Sequence, residues 1–248
     1  MKKLLERIQD YWGGRAEAFA EYNSEQLEDK WAEVFEKELA GLKKGARILD
    51  VGCGPAFFSV ILTKMGYDVT GIDCTEEMLG AAKAHASEEN CNVTFLDMKA
   101  DDLKFADGEF DAVVSRYVTW TLEDPEKAYR EWARVLKKDG ILVNFDANWY
   151  NYLFDEEKRR GYEQDRLNVE KAHAYDQITT TNVAEMESIA RCLPLSKITR
   201  PEWDLEIFDR IGTCDTKVDW SVCDKVWTDE DKINNASTPM FMLIAKKR

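Results

Sequence analysis

The feature that most narrows what this chain can fold into is the segment Leu49-Asp50-Val51-Gly52-Cys53-Gly54-Pro55. A short apolar run starting at Ala46 ends in glycines, and a proline follows where a helix can begin. The pattern reads as a buried strand, a tight turn and a helix. Glycines let such a turn pass close to a ligand and leave its amides free to face it. Asp73 lies about 20 residues beyond Gly54, at the end of a second apolar run, Tyr67 to Ile72. A carboxylate there can accept both hydroxyl hydrogens of a ribose. Gly-x-Gly alone is weak evidence. With Asp73 in the same strand–helix–strand unit it points to a ligand that contains adenosine.

A dinucleotide site would carry a third glycine three residues after Gly54. Phe57 stands there, followed by Phe58. Two such rings at the helix start are expected to obstruct the approach of a pyrophosphate. No Lys-Ser or Lys-Thr pair follows, so the loop is not a P-loop. The expected ligand has adenosine and no phosphate.

The pattern around this segment alternates. Asn92 to Leu96, Phe110 to Ser115 and Ile141 to Asp146 read as further strands, and Phe57 to Met65, Glu76 to Ala86 and Pro125 to Lys138 as helices. Asp124 is placed to cap the last of these, and Lys137-Lys138-Asp139-Gly140 reads as its stop and turn. The expected class is therefore α/β, with a mostly parallel sheet and helices on both faces. Ligands bind such sheets at the carboxyl ends of the strands, near the reversal of strand order.

Residues 1–44 read as a helical N-terminal cap, broken at Gly13-Gly14, with Trp12, Phe19, Tyr22, Trp31, Val34, Phe35 and Leu39 as its apolar face. The same cap would let Tyr11, Trp12, Arg15 or Tyr22 close over a ligand. Residues 45–150 form the ligand-binding core. Residues 151–200 read as a helical lid inserted after the fifth strand, with Asp155 to Ala174 strongly charged and Glu185 to Cys192 helical. Residues 201–248 complete the core: Pro201 to Gly212 as a helix, Thr216 to Val222 and Met240 to Lys246 as late strands.

Acidic residues number 48 against 34 basic, a formal charge of −14. That balance argues against nucleic-acid phosphates and anionic membranes as partners and suits a neutral or positively charged small substrate. No apolar run approaches the roughly 18 residues of a membrane span, and Met1 to Trp12 lacks the apolar stretch of a secretory signal. The expected location is the cytoplasm. Cys53, Cys74, Cys91, Cys192, Cys214 and Cys223 include no C-x-x-C pair, so free thiols are expected and no metal. A thiolate site for a metal or arsenic, built from distant cysteines, is the lesser alternative.

Leu49 to Pro55 resembles the first motif of the class I S-adenosylmethionine-dependent methyltransferases. Val69 to Asp73 through Glu77-Met78-Leu79 resembles their second, and Ala100 to Phe105 with Phe110 to Ser115 their third and fourth. Glu131 to Lys137 through Gly140 resembles the helix and turn before their fifth strand. The resemblance covers roughly residues 45 to 146, with a weaker echo at Tyr11 to Tyr22. It implies a Rossmann-like, seven-stranded sheet and S-adenosyl-L-methionine as methyl donor. It implies that backbone at Gly52, Cys53 and Gly54 holds the methionyl part, that Asp50 orients the loop or meets the amino group, and that Asp73 binds the ribose. Cys74 and Met78 would pack near the adenine, with Ala100 and Asp101 at its edge. Ser115 and Arg116 would lie under the donor, and Tyr11, Arg15 and Tyr22 over it. Many relatives carry Gly-Asp before the alanine of the third motif. Met98-Lys99 stands here, and lysine accepts no adenine hydrogens, so that role moves to Asp101.

In-line methyl transfer chiefly demands alignment and a dry pocket, and proximity alone contributes on the order of 7–11 kcal/mol. A general base is needed only for a protonated, weakly acidic acceptor. His85 reads as surface. His173, in the expected lid, and Tyr117 are the candidate catalytic groups. Tyr117 and Trp120 follow the fourth strand and would wall the acceptor, as a cation–π surface or as ordinary packing. Asp146 and Asn148, after the fifth strand, are candidate acceptor contacts. The expected acceptor is a small molecule; amine, thiol, hydroxyl and carbon nucleophiles all fit. Two rival readings are a non-catalytic donor-binding module and an NAD(P)-dependent oxidoreductase.

Overall fold

The computed structural model describes residues 2–178, 181–212 and 214–248. Residues 1, 179, 180 and 213, which fall in the expected cap, lid and C-terminal segments, lie outside the described residues. In chain order the elements are α1 (Leu4–Gly13), α2 (Ala16–Ser24), α3 (Glu28–Glu38), β1 (Arg47–Val51), α4 (Phe57–Lys64), β2 (Asp68–Asp73), α5 (Glu76–Glu88), β3 (Thr94–Asp97) and β4 (Phe110–Arg116). Then follow α6 (Pro125–Val135), β5 (Leu136–Asp146), α7 (Glu156–Ala172), α8 (Val183–Ala190), α9 (Glu202–Ile211), β6 (Cys214–Asp219), α10 (Val222–Val226), α11 (Asp229–Asn234) and β7 (Phe241–Lys247).

The strands form one sheet in the order β3-β2-β1-β4-β5-β7-β6. β7 runs antiparallel to both its neighbours, β5 and β6, and the other pairings are parallel. The expected mostly parallel seven-stranded sheet is thus present. Along β1 the side chains alternate between two buried faces, which explains an unbroken apolar run. Ile48 joins Trp31, Phe35, Phe58 and Phe145 on the face covered by α3, α4 and α10. Leu49 and Val51 join Tyr129, Trp132 and Phe208 on the face covered by α6 and α9. Rings meet edge to face on the first side, Trp31 with Phe145 at 5.0 Å and Phe35 with Phe58 at 4.8 Å. The order reverses between β1 and β4, and their loops diverge there to leave a crevice at the carboxyl ends.

Several boundaries differ from the sequence reading. α6 is capped as expected, with Asp124 Oδ1 accepting from the Lys127 amide at 2.9 Å, but it stops at Val135. The stretch Lys137 to Gly140, read as a turn between helix and strand, is absorbed into β5. Phe110 pairs with Leu136 and Ala112 with Ile141, so the ladder carries an irregularity there. A Cβ at Gly140 would lie 2.9 Å from the Lys137 carbonyl oxygen, so the bulge needs glycine. The late strand begins at Cys214, two residues early, and Val222 starts α10 instead of ending that strand. Among the described residues no helix is long and apolar enough to cross a membrane.

One polar network lies deep in the second face. Arg200 is fully buried and forms ion pairs with Asp146, at the end of β5, and Asp204, in the first turn of α9. Arg200 Nη2 also donates to the Tyr129 hydroxyl at 3.1 Å, and Asn144 Nδ2 donates to the same oxygen at 2.9 Å. Both carboxylates and the guanidinium are closed to solvent, so each needs the others. Replacing Arg200→Met strands two buried carboxylates. The expected result is destabilisation of about 3–5 kcal/mol in urea unfolding. A loss below about 1 kcal/mol would show that the network is not what holds α9 to the sheet.

Candidate functional site

The turn after β1 is built by two glycines in the left-handed region, Gly52 at φ 65 and Gly54 at φ 51. A Cβ on Gly52 would fall 2.2 Å from Val118 Cγ2. At Gly54 a Cβ would make only ordinary contacts, with Met78 Sδ at 3.8 Å and the Phe19 ring at 4.0 Å, so it is the left-handed backbone that calls for glycine there. Cys53 turns its side chain inward. It is buried, and its Sγ would meet a Cβ on Gly71 at 3.1 Å. Its amide donates to the Ile72 carbonyl at 2.9 Å, tying the turn to β2.

Asp73 ends β2 beside this turn. Its Oδ2 accepts from the Gly54 amide at 3.1 Å and its Oδ1 from the Thr75 amide at 2.9 Å. Burial raises its pKa above the ordinary value, and the amides of Gly54 and Thr75 oppose the rise. Asp50 and Ser115 lie beneath. Asp50 is buried and accepts from Ser59 Oγ at 2.6 Å; Ser115 Oγ donates to the Val51 carbonyl at 3.0 Å. Burial pushes the Asp50 carboxyl up to about 6, against the Ser59 hydrogen bond and the Arg116 charge.

The turn opens into a cavity of about 1320 Å³. Its walls bring together Tyr11, Arg15, Tyr22, Gly52, Gly54, Asp73, Cys74, Met78, Ala100, Asp101, Arg116, Tyr117 and Trp120. Cap helices α1 and α2 lie over one side. Gln9 Nε2 donates to the Cys74 carbonyl, Arg15 Nη1 donates to the Tyr11 hydroxyl at 3.3 Å, and Tyr22 donates to Asp231 Oδ1 at 3.0 Å. Asp101 pairs with Lys127 at 3.4 Å. Burial, with Asp73 alongside, pushes the Cys74 thiol up to about 11.

The far wall is aromatic. Trp120 stacks on Tyr150 at 4.9 Å, Tyr152 stacks on Tyr162 at 4.1 Å, and Tyr117 meets Trp149 edge to face at 5.0 Å. Burial pushes the Tyr117 hydroxyl up to about 12, and that oxygen accepts from Trp227 Nε1 at 3.3 Å. It is therefore not a proton carrier near neutral pH.

Several expectations are corrected. Asp146 does not face the cavity: it is fully buried against Arg200 and accepts from the Trp120 amide at 3.1 Å and Trp149 Nε1 at 2.9 Å. Asn148 spends its side chain on Arg200, whose amide it accepts at 2.9 Å and whose carbonyl it donates to at 2.8 Å. His173 is the exposed C-cap of α7, off the cavity wall. His85 is half-buried, with Nδ1 on the Pro55 carbonyl at 2.9 Å. Phe57 and Phe58 do not obstruct the mouth either, since both rings are buried in the core with Trp31.

The sequence reading missed the lid's contribution. Tyr162 and Asp165 of α7, Gln177 after it and Asn234 of α11 all reach the cavity wall. Tyr162, Asp165 and Val169 share one helical face, a three-and-four spacing that the dense charge of this segment conceals. Among the described residues no group of three His, Cys, Asp or Glu side chains is placed to hold a metal ion.

Comparison with known proteins adds independent findings. Residues 49–144 match the family model described as a methyltransferase domain. A protein of Geobacillus sp. (strain WCH70) named as a methyltransferase is 30% identical over 187 residues, covering 73% of this chain and 68% of that protein. The YqeM protein of Bacillus subtilis, also named as a methyltransferase, is 36% identical over 139 residues, which is 54% of each. A ubiquinone biosynthesis O-methyltransferase of Bordetella avium is 32% identical over 121 residues, 48% of this chain and 50% of that protein. The match therefore spans about half the length of two of these three curated relatives. Among solved structures, the YcgJ protein of Bacillus subtilis superposes with a TM-score of 0.57 at 18% identity, covering 88% of this chain and 97% of that one.

Asp50 carries a pH signature. Its folded carboxyl titrates at about 6 against an ordinary 3.8, so the fold binds this proton more tightly than the unfolded chain does. Its contribution to stability is complete below pH 3.8 and is lost as the pH rises through about 6. A displacement of that size corresponds to up to about 3 kcal/mol. Asp50→Asn, which cannot ionise, should therefore gain stability relative to the parent chain as pH rises from 4 to 7. Melting curves of both proteins across that range check it, and a difference that stays flat would refute the buried-carboxyl account.

Proposed function

The chain belongs to the class I S-adenosylmethionine-dependent methyltransferases, and from that premise we propose that it moves a methyl group from S-adenosylmethionine to a small molecule held at the aromatic end of its cavity. The observation that carries the reading is the Asp73 carboxylate, fixed by the Gly54 and Thr75 amides at the mouth of an open glycine turn. The residues present fit an adenosyl sulfonium. The backbone at Gly52 and Gly54 lines the cavity, and each Asp73 oxygen retains a lone pair for a ribose hydroxyl.

In this reading the backbone from Gly52 to Gly54 holds the methionyl part, and Asp73 clasps the sugar. Cys74 and Met78 flank the adenine, with Ala100 and Asp101 at its edge. Tyr11 and Tyr22 close over the donor, and Arg15 takes its carboxylate. Asp50 and Ser115 act as positioning residues beneath the turn, through Ser59 and the Val51 carbonyl. When bound, the donor supplies a methyl group on a sulfonium, open to in-line displacement by a nucleophile. The chain contributes alignment and exclusion of water. Neither histidine borders the cavity, and the Tyr117 hydroxyl holds its proton to about pH 12. Neither of the expected candidates, His173 and Tyr117, is therefore placed to take a proton from the acceptor.

A small acceptor fits walls that close from three sides: α1 and α2, the α7 lid, and the loop carrying Trp120. A net charge of −14 disfavours a polyanion in their place. The Bordetella relative, named for O-methylation in ubiquinone biosynthesis, is consistent with an acceptor of that size.

Asp73→Ala should weaken S-adenosylhomocysteine binding by roughly 1–3 kcal/mol, because the ribose hydroxyls lose a charged acceptor. Isothermal titration calorimetry gives the comparison. A dissociation constant equal to that of the parent chain would remove Asp73 from the site.

A further inference from the structure

Helix α11 buries two side chains, and both are polar: Asp231 and Asn234, three residues apart on one face. Asp231 is fully buried, forms no ion pair among the described residues and does not itself border the cavity. Its charge is met by hydrogen bonds alone, as burial demands. The two oxygens divide them. Oδ2 accepts from the Thr228 amide at 3.0 Å and the Thr228 hydroxyl at 2.9 Å, which closes the capping box of α11, and from Gln26 Nε2 at 3.3 Å. Oδ1 accepts from the Tyr22 hydroxyl at 3.0 Å and from Gln177 Nε2 at 2.9 Å. Tyr22 belongs to α2 of the cap and Gln177 to the lid segment after α7, and both line the cavity. A capping box needs neither of them, so Oδ1 is spent on two pieces of the cavity wall.

Each piece is connected onward. The Tyr22 ring stacks on Phe19 at 5.6 Å, and Phe19 lies 4.0 Å from where a Cβ on Gly54 would stand. Burial above all, with Tyr117 and Asp231 nearby, raises the Tyr22 hydroxyl well above its ordinary value, so it keeps its proton and remains the donor of the pair. On the lid side, Asn234 Oδ1 accepts from the Gln177 amide and from Arg166 Nη1, each at 3.1 Å, and Asn234 Nδ2 donates to the Tyr175 carbonyl at 2.9 Å. These bonds hold the segment in place without the Gln177 side chain. Its amide therefore adds something other than attachment: it fixes the orientation of the oxygen that Tyr22 meets.

Resting on the methyl-donor reading, we propose that Asp231 is a positioning residue for the donor site. It touches neither donor nor acceptor. Through Oδ1 it sets the Tyr22 ring above the glycine turn and the Gln177 amide of the lid in one arrangement, so that donor binding and the order of residues 174–178 are linked. Such a linkage is reciprocal: what holds Tyr22 favours the Gln177 contact, and the reverse.

The test uses the full chain, S-adenosylhomocysteine as probe, calorimetry, and hydrogen exchange read by mass spectrometry. Tyr22→Phe keeps the ring and removes its tether. Gln177→Leu removes a side chain with no assigned contact to the donor. Each should weaken S-adenosylhomocysteine about three- to tenfold. The double variant should bind within about twofold of the weaker single variant, since both changes undo the same arrangement. S-adenosylhomocysteine should slow exchange across residues 174–178 of the parent chain, and Tyr22→Phe should abolish that slowing. Asp231→Ala should match the double variant; if it does not fold, the Tyr22 and Gln177 variants decide. Unchanged affinity in Gln177→Leu, single losses that multiply in the double variant, or slowing that survives Tyr22→Phe would each overturn the proposal. A role in stability alone predicts the first of these, with only the melting temperature lowered. Failure of the parent chain to bind S-adenosylhomocysteine would sink the methyl-donor reading instead. Exchange in ligand-free protein then judges Asp231: Tyr22→Phe must speed it across residues 174–178 by about threefold or more, and an unchanged rate overturns the proposal.

Discussion

The contact between the Gly54 amide and the Asp73 carboxylate joins the two strand ends on which the cavity depends. It works because Gly54 is left-handed, which aims its amide across the gap toward β2, and because Gly52 is left-handed too, which lets Val118 close over the turn. Neither glycine would matter without strand order reversing at β1, since that reversal alone leaves room above the turn. The carboxylate is recessed and partly desolvated, so its remaining lone pairs are strong acceptors held in one orientation before any ligand arrives. Asp50 and Ser59 below, and the Cys53 amide on the Ile72 carbonyl, keep the turn from relaxing.

The opposite side of the cavity is fixed by a different device. Asp146 holds the Trp120 amide and the Trp149 indole at once, and Arg200 neutralises it from within the second core face. Two aromatic walls are thereby set by one buried carboxylate that never touches the cavity. The arrangement separates the charge needed for rigidity from the surface that faces the cavity. That side of the cavity is left lined by aromatic rings, which favours exclusion of water.

What the sequence made legible follows from the range of the interactions. The glycine turn, Asp73, the Asp124 cap and the alternation of strands and helices are set by backbone geometry and neighbours a few residues away. They show up as motif and period. Asp146 and Asn148 sit where a strand-end residue usually meets substrate, and nothing near them in sequence signals otherwise. Their partner, Arg200, is 54 residues from Asp146, and only folding reveals the pair. α10 and α11 span five and six residues, too short for a helical period to register. Thr228 and Asp231 form a capping box at the start of α11, a local signal that went unread. Phe57 and Phe58 taught a subtler lesson: a bulky residue beside a glycine turn says little about the turn's mouth until its rotamer is known.

Net charge and the cavity wall act over different ranges. A sum over 248 residues describes the far field, which acts on encounter with large polyions. Within the cavity, screening by water is lost and only the few charges on the wall count. There the carboxylates of Glu185, Asp101 and Asp165 are already engaged by Arg7, Lys127 and Ser237. The recessed carboxylate that remains is Asp73, held by the Gly54 and Thr75 amides with lone pairs to spare, so recognition on that wall rests on one oriented acceptor and not on the total charge of the chain.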